Sequence, residues 1–198
     1  MISDKLSISA TAKLQGSAEL RPLLKEFTET RSWQAMEKLA RKAVRLRPDQ
    51  PEFHLMLGTA LHNQGKARAA EQAYAACLRI DPKNLRALIN LGSLQISGGQ
   101  PAAGMAAIDA ALFLEPDNVD ARVQKGRGFG IMDKPDEALK IFDQLSRERP
   151  DDASVIKAQA LCHMEIGHKT KAAELLFRAA ELAPDDKAVR NALKKVTS

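Results

Sequence analysis

Hydrophobic positions along the chain recur with helical spacing, broken at regular intervals. Met36, Leu39, Ala40, Ala43, Val44 and Leu46 fall on one face of a helix, with Glu37, Lys38, Arg41, Lys42 and Arg45 filling the remaining positions. Comparable apolar faces return down the chain, and their separation is constant. Pro48, Pro82, Pro116, Pro150 and Pro184 follow one another at intervals of 34 residues. With the proline set at the thirty-second place, the units are 17–50, 51–84, 85–118, 119–152 and 153–186. The eighth place then reads Leu24, Gly58, Gly92, Gly126, Ala160, and the twentieth Met36, Ala70, Gly104, Ala138, Ala172. The twenty-fourth reads Ala40, Tyr74, Ile108, Phe142, Leu176, and the twenty-seventh Ala43, Cys77, Ala111, Leu145, Ala179. Small residues at two places let paired helices approach, and larger apolar ones fill the seam. Each unit is therefore predicted to be an antiparallel helix pair.

The punctuation fits this pairing. Pro101 and Pro135 occupy the seventeenth place, where a second helix begins and a missing N–H costs nothing. Gly65, Gly99 and Gly167 share the fifteenth place, inside the turn. Asp49, Asp117, Asp151 and Asp185 follow the periodic proline and are expected to cap the next helix. Residues 187–198 read as a C-terminal capping helix: Val189, Ala192, Leu193 and Val196 share a face, while Lys194 takes the eighth place, where a further helix would need a small residue. The array is expected to end there. At the other end, Leu6, Ile8, Ala10, Ala12 and Leu14 alternate with polar residues, which predicts an extended or disordered arm over 1–16. Pro22 is expected to delay or bend the first helix.

Composition narrows the class without naming it. The chain has 198 residues, 44% hydrophobic and 28% charged, with a mean hydropathy of -0.30, as expected of a folded, soluble chain. No apolar run reaches the ~18 residues of a membrane span. The first sixteen residues lack a signal-type apolar core, which predicts a cytoplasmic protein, or a periplasmic one if a leader was removed. A net charge of +5 is too mild to call for nucleic acid, and 2 cysteines make no disulfide framework.

The 34-residue period resembles that of the tetratricopeptide repeat family over residues 17–186. The second unit carries the resemblance best, with Leu57-Gly58, Leu61, Ala70, Tyr74 and Pro82 at the family's places. The tryptophan usual at the fourth place is absent; Leu20, His54, Leu88, Arg122 and Ile156 stand there. The resemblance implies an all-α, right-handed superhelix of stacked antiparallel helix pairs. It also implies a non-catalytic scaffold or adaptor that binds a partner's peptide segment, and the alanine-rich style is similar to bacterial members serving assembly or secretion. Two alternatives stand beside it: the recognition array at the front of a sulfotransferase- or glycosyltransferase-type enzyme, or a self-assembling unit. A homo-oligomer formed through the arm or the groove belongs to the latter.

Candidate chemistry is sparse. His54 and His163 fall at places where the ring should fill a seam, His168 lies in a turn, and no pair has metal-binding spacing. Cys77 and Cys162 stand at apolar places and read as buried side chains. No nucleophile–base–orienter set can be assembled, so no cofactor, metal or enzymatic activity is expected. Gly126-Arg127-Gly128-Phe129-Gly130 lies inside a predicted helix and lacks the residues of a phosphate loop. With Arg122 and Lys125 at normally apolar places, that helix is expected to be the soft element of the array.

The first helices should line a concave channel, as the resemblance implies for the second, fifth, ninth, twelfth and thirteenth places. The fifth place reads Arg21, Leu55, Ile89, Val123, Lys157; the ninth Lys25, Thr59, Ser93, Arg127, Leu161; the twelfth Thr28, His62, Ile96, Gly130, Met164. Leu55, Ile89 and Val123 then form an apolar ladder, Asn63 and Asn90 supply amides for a peptide backbone, and Arg86 and Arg127 flank the ladder. Only Asn90 matches the residue set by which chaperone-binding members clamp a C-terminal carboxylate, so that activity is not expected. Lys38, Arg41, Lys42 and Arg45 form a basic stripe on the opposite surface. Solvation accounts for such a stripe, and an anionic protein or lipid surface is the alternative partner. No aromatic residues interleave with it, which argues against single-stranded nucleic acid.

Overall fold

The computed structural model describes residues 26–197. After a helical turn at 26–29 come ten helices: α1 (Trp33–Leu46), α2 (Pro51–Asn63), α3 (Ala67–Ile80), α4 (Leu85–Ser97), α5 (Pro101–Leu114), α6 (Val119–Ile131), α7 (Pro135–Glu148), α8 (Ala153–Glu165), α9 (Lys169–Leu182) and α10 (Lys187–Thr197). No strand occurs among the described residues. Even-numbered helices begin at 51, 85, 119, 153 and 187, and odd-numbered ones at 33, 67, 101, 135 and 169. Both series keep the 34-residue period of the sequence. The extended arm, residues 1–16, and the bend expected at Pro22 lie outside the described residues.

The chain divides into two compact units between Gly98 and Gly99. In the first, α1 packs on α2, α2 on α3 and α3 on α4, and the even helices α2 and α4 also touch. In the second, consecutive helices pack from α5 through α10, and α6 meets α8 directly.

Packing follows the periodic places. At the twenty-fourth place Ala40, Tyr74, Ile108, Phe142 and Leu176 are all buried, as are Ala43, Cys77, Ala111, Leu145 and Ala179 at the twenty-seventh. Gly58 and Gly126 are buried where the paired helix brings in an aromatic ring. Helix α10 lays Val189 and Ala192 against Ile156, Ala160, Leu176 and Ala179, with Lys187, Arg190 and Lys194 exposed on its other side.

Loops obey the same register with one correction. Pro51, Pro101 and Pro135 each stand at the start of a helix. Gly65, Gly99 and Gly167 turn the chain with φ of 73°, 82° and 82°, and Arg31 and Asp133 adopt the same left-handed region at φ 50° and 58°. The fifteenth place thus needs positive φ whether or not glycine supplies it. The helix caps, however, are not the aspartates expected at the thirty-third place. Asn84, Asn118, Asp152 and Asp186, one residue later, accept hydrogen bonds from the first-turn amides. An N-cap must leave the turn and enter extended backbone, and Asn84, Asn118 and Asp152 do so with ψ of 95°, 112° and 102°.

Candidate binding face

The even-numbered helices present the places selected from the sequence, and α2 shows how such a face is built. Leu55 is partly buried and packs on the cluster of Leu61, Ala70, Ala73, Tyr74 and Leu94. One turn on, the Thr59 hydroxyl donates to the Leu55 carbonyl at 3.0 Å, and the Asn63 amide donates to the Thr59 carbonyl at 2.9 Å. Asn63 is thereby tied to its own helix. Tyr74 rises from α3 beneath this surface, its phenol pushed up to about 12 by burial against a hydrogen bond with Thr59. The His62 ring meets Tyr74 edge-on at 6.3 Å, and partial burial lowers its pKa, so the neutral imidazole carries both a donor and an acceptor at neutral pH.

On α4, Arg86 is exposed and Ile89, Asn90 and Ser93 are partly exposed. The Asn90 amide makes no hydrogen bond among the described residues. Ile96 departs from the expectation: at 2% exposure it has no surface to offer a ligand. It lies one turn beyond Gly92 at the buried eighth place, so it shares the seam side of its helix.

In the second unit Val123 is partly buried against Phe142, Leu145, Val155 and their neighbours, while Arg127 is exposed and donates to Gln124 at 3.0 Å. Leu161, read at the ninth place, is exposed on α8, while the sequence reading omits Ile131 and Glu165, exposed at the thirteenth places of α6 and α8. Their register alone would have included them.

The basic stripe on α1 is less open than its spacing suggests. Arg41 is bonded to Glu37 at 2.8 Å and Lys42 is partly buried and engaged, while Lys38 and Arg45 are exposed. Glu37 also accepts from Lys66 at 2.7 Å and from Gln64 at 2.8 Å, which joins α1 to the turn after α2. These donors, Lys66 foremost, hold its carboxyl down at about 2.

The remaining candidates take structural positions. His54 bonds the Pro48 carbonyl at 2.9 Å across the loop between α1 and α2. His163 stacks on His168 at 5.7 Å, with its Nδ1 buried and without a hydrogen-bond partner. Among the described residues no three metal-ligating side chains converge. Burial pushes the thiols of Cys77 and Cys162 up to about 12 and about 11, so neither is a nucleophile near neutrality. The glycine run lies within α6 rather than at a helix start: Gly126 faces Phe142, and Gly130 faces the Glu165 carboxylate.

Comparison with known proteins assigns the class. One tetratricopeptide-repeat family model matches residues 61–127 and again 132–196, and a second matches 30–84. The chain belongs to the tetratricopeptide repeat family, whose members are protein–protein interaction scaffolds. Its fold is similar to that of TTC0263, a thermophilic member from Thermus thermophilus (TM-score 0.79, 17% identity, 89% of this chain and 96% of that one). It is also similar to YrrB, a member with an unusual peptide-binding site (TM-score 0.62, 18% identity, 94% and 96%). A third likeness is to MamA from Desulfovibrio magneticus (TM-score 0.67, 16% identity, 84% and 94%). No curated protein matches the sequence. No helix among the described residues is long and apolar enough to cross a membrane.

Proposed function

We propose that this protein is a non-catalytic adaptor that binds a peptide segment of a partner on the faces of its even-numbered helices, in a bacterial assembly or secretion process. The observation that carries the reading is the surface of α4, where the partly exposed aliphatic Ile89 stands beside an exposed Arg86 and an amide, Asn90, without a bond of its own. Apolar contact supplies binding energy, and an unbonded amide can pair with a peptide backbone and set its register. Leu55, Thr59, His62, Asn63 and Ser93 extend that surface within the first unit, and Val123 and Arg127 belong to the corresponding surface of the second. Likeness to YrrB, described by its peptide-binding site, supports the same use of the fold, and the bacterial setting rests on likeness to the Thermus and Desulfovibrio proteins.

The test is partner capture with the parent chain and with Ile89→Glu, read by mass spectrometry. A charge at this position should cost the apolar contact, about 1.5–3 kcal/mol for a buried aliphatic, and with it tenfold or more in affinity. Circular dichroism should be unchanged. Should Ile89→Glu capture the same partner equally well, this face is not the site, and Lys38 and Arg45 on α1 become the better candidates.

A further inference from the structure

Several charges of the second unit are held in ion pairs. Arg122 pairs with Glu148, Lys125 with Asp109 and Lys157 with Asp186. At the channel places of α6 and α8 the exposed Asp120, Arg127 and Glu165 form no ion pair among the described residues. Arg127 bonds only the neutral Gln124, and Glu165 has no cationic partner among the described residues. Two exposed aliphatics share the same repeat places on these helices: Leu161 on α8, at 39%, stands at the ninth place like Arg127, and Ile131 on α6, at 49%, at the thirteenth like Glu165. Gly130 belongs to the same arrangement. A Cβ there would come within 2.9 Å of the Glu165 carboxylate, so the absence of a side chain lets that carboxylate lie against α6.

We infer that this face selects an extended peptide carrying an acidic residue, an aliphatic residue and a basic residue at alternate positions. The inference rests on the reading of the even-helix faces as peptide sites and adds the chemistry of the ligand. Each element follows from the geometry. The guanidinium of Arg127 reaches back towards Gln124 while the carboxylate of Glu165 lies at the level of Gly130. Six residues of helix separate those levels, about 9 Å along the axis, and the sideways offset towards α8 lengthens the span. In an extended chain, residues i, i+2 and i+4 point to one side and span about 13 Å. Long acidic and basic side chains at the ends can reach inward to the two charges. The central aliphatic then meets Ile131 and Leu161, which are exposed without it. A helical ligand would place i and i+4 only about 6 Å apart, too close to satisfy both charges with an apolar residue between them.

The experiment is a fluorescence-anisotropy titration of the full chain with three labelled peptides on one neutral polar background: Glu-x-Leu-x-Lys, Glu-x-Leu-x-Glu and Lys-x-Leu-x-Lys. The parent should bind the mixed peptide most tightly, each mismatched end weakening affinity about threefold to tenfold, with the difference shrinking in high salt. Glu165→Lys should shift the preference to the doubly acidic peptide, and Arg127→Glu to the doubly basic one. Such switches cannot come from misfolding, because each variant gains a ligand. Equal affinity for all three peptides, or a preference unmoved by either substitution, overturns the inference and leaves peptide binding by the first unit to be judged by Ile89→Glu. No measurable binding of any of the three overturns it too. Deletion of residues 1–25 should leave the mixed-peptide affinity unchanged; a rise would mean that the chain's own N-terminal segment occupies the face in place of the ligand inferred here.

Discussion

Gly58 faces the ring of Tyr74 so closely that a Cβ on the glycine would stand 2.5 Å from both Cδ1 and Cε1. Gly126 stands in the same relation to Phe142 two repeats later, with ring atoms at 2.6 to 3.0 Å from the same hypothetical carbon. Both rings are about 1% exposed, so neither can swing away. In these two units the pairing of the helices thus rests on a hydrogen atom at the eighth place and an aromatic ring at the twenty-fourth.

Alanine at either glycine should therefore destabilise, although alanine is the better helix former. Overpacking costs about 1–3 kcal/mol, while relief of the glycine penalty returns about 1 kcal/mol, so a net loss of up to about 2 kcal/mol is expected for Gly58→Ala. In a Tyr74→Leu background the same change should be neutral or stabilising. Urea denaturation of the four chains of this cycle measures the coupling.

The inter-helix turn predicts the opposite sign at another place. Arg31 and Asp133 hold φ of 50° and 58° where three other repeats use glycine. An L-residue in this region costs about 1–2 kcal/mol, partly offset by the greater freedom glycine has when unfolded. Asp133→Gly and Arg31→Gly should each raise stability by about 0.5 kcal/mol, whereas Gly65→Ala should lower it by about 1 kcal/mol. Thermal melts of the three variants distinguish these directions, and a loss in both glycine variants would show that the side chains contribute contacts of their own.

Acid sensitivity should centre on Glu37. Its folded pKa of about 2 lies below the ordinary 4.5, so the folded state binds the fewer protons. Its contribution is present in full above the ordinary pKa and is lost as pH falls towards 2. Glu148 and Asp186, held down chiefly by Arg122 and Lys157, act in the same direction. Glu37→Gln should flatten the rise of the urea midpoint between pH 2 and about 5 without reversing it. An unchanged slope would mean that Lys66, Gln64 and Arg41 do not hold the carboxylate in solution.

The repeat was legible because prolines, glycines and small seam residues act through local geometry and keep their own period. Caps were misplaced by one residue, since Asp-Asp in two repeats and Asp-Asn in another leave the choice to backbone conformation. Ile96 shows where a family's register fails: the twelfth place follows the small eighth place by one turn, and the local seam decides whether it is covered. The ionic partners of Arg122 and Lys125 were not legible either. Glu148 and Asp109 lie on different helices, 26 and 16 residues away, and only packing brings them near.

Those two pairs bear on the helix that sequence marks as weak. Gly128 and Gly130 should each cost α6 about 1 kcal/mol relative to alanine, Gly126 lowers its intrinsic helix propensity as well, and hydrogen exchange should find residues 121–130 opening before 53–63 of α2. The structure adds a condition. Arg122, only 12% exposed, reaches Glu148 on α7, and Lys125 reaches Asp109 on α5, so charges at normally apolar places fasten α6 to both neighbours. Salt should loosen this helix selectively: at about 1 M the screening length falls to about 3 Å, and the pairs, partly open to solvent, weaken. Exchange across 121–130 should then accelerate by more than across 53–63, whose helix is held by apolar packing. Replacing Arg122 with leucine, an apolar residue of the kind usual at this place, should remove most of the salt effect while keeping or raising stability, because an apolar side chain avoids the desolvation of a nearly buried guanidinium. If α6 exchanges as slowly as α2 at both salt concentrations, its seam contacts outweigh the three glycines and the ion pairs are incidental.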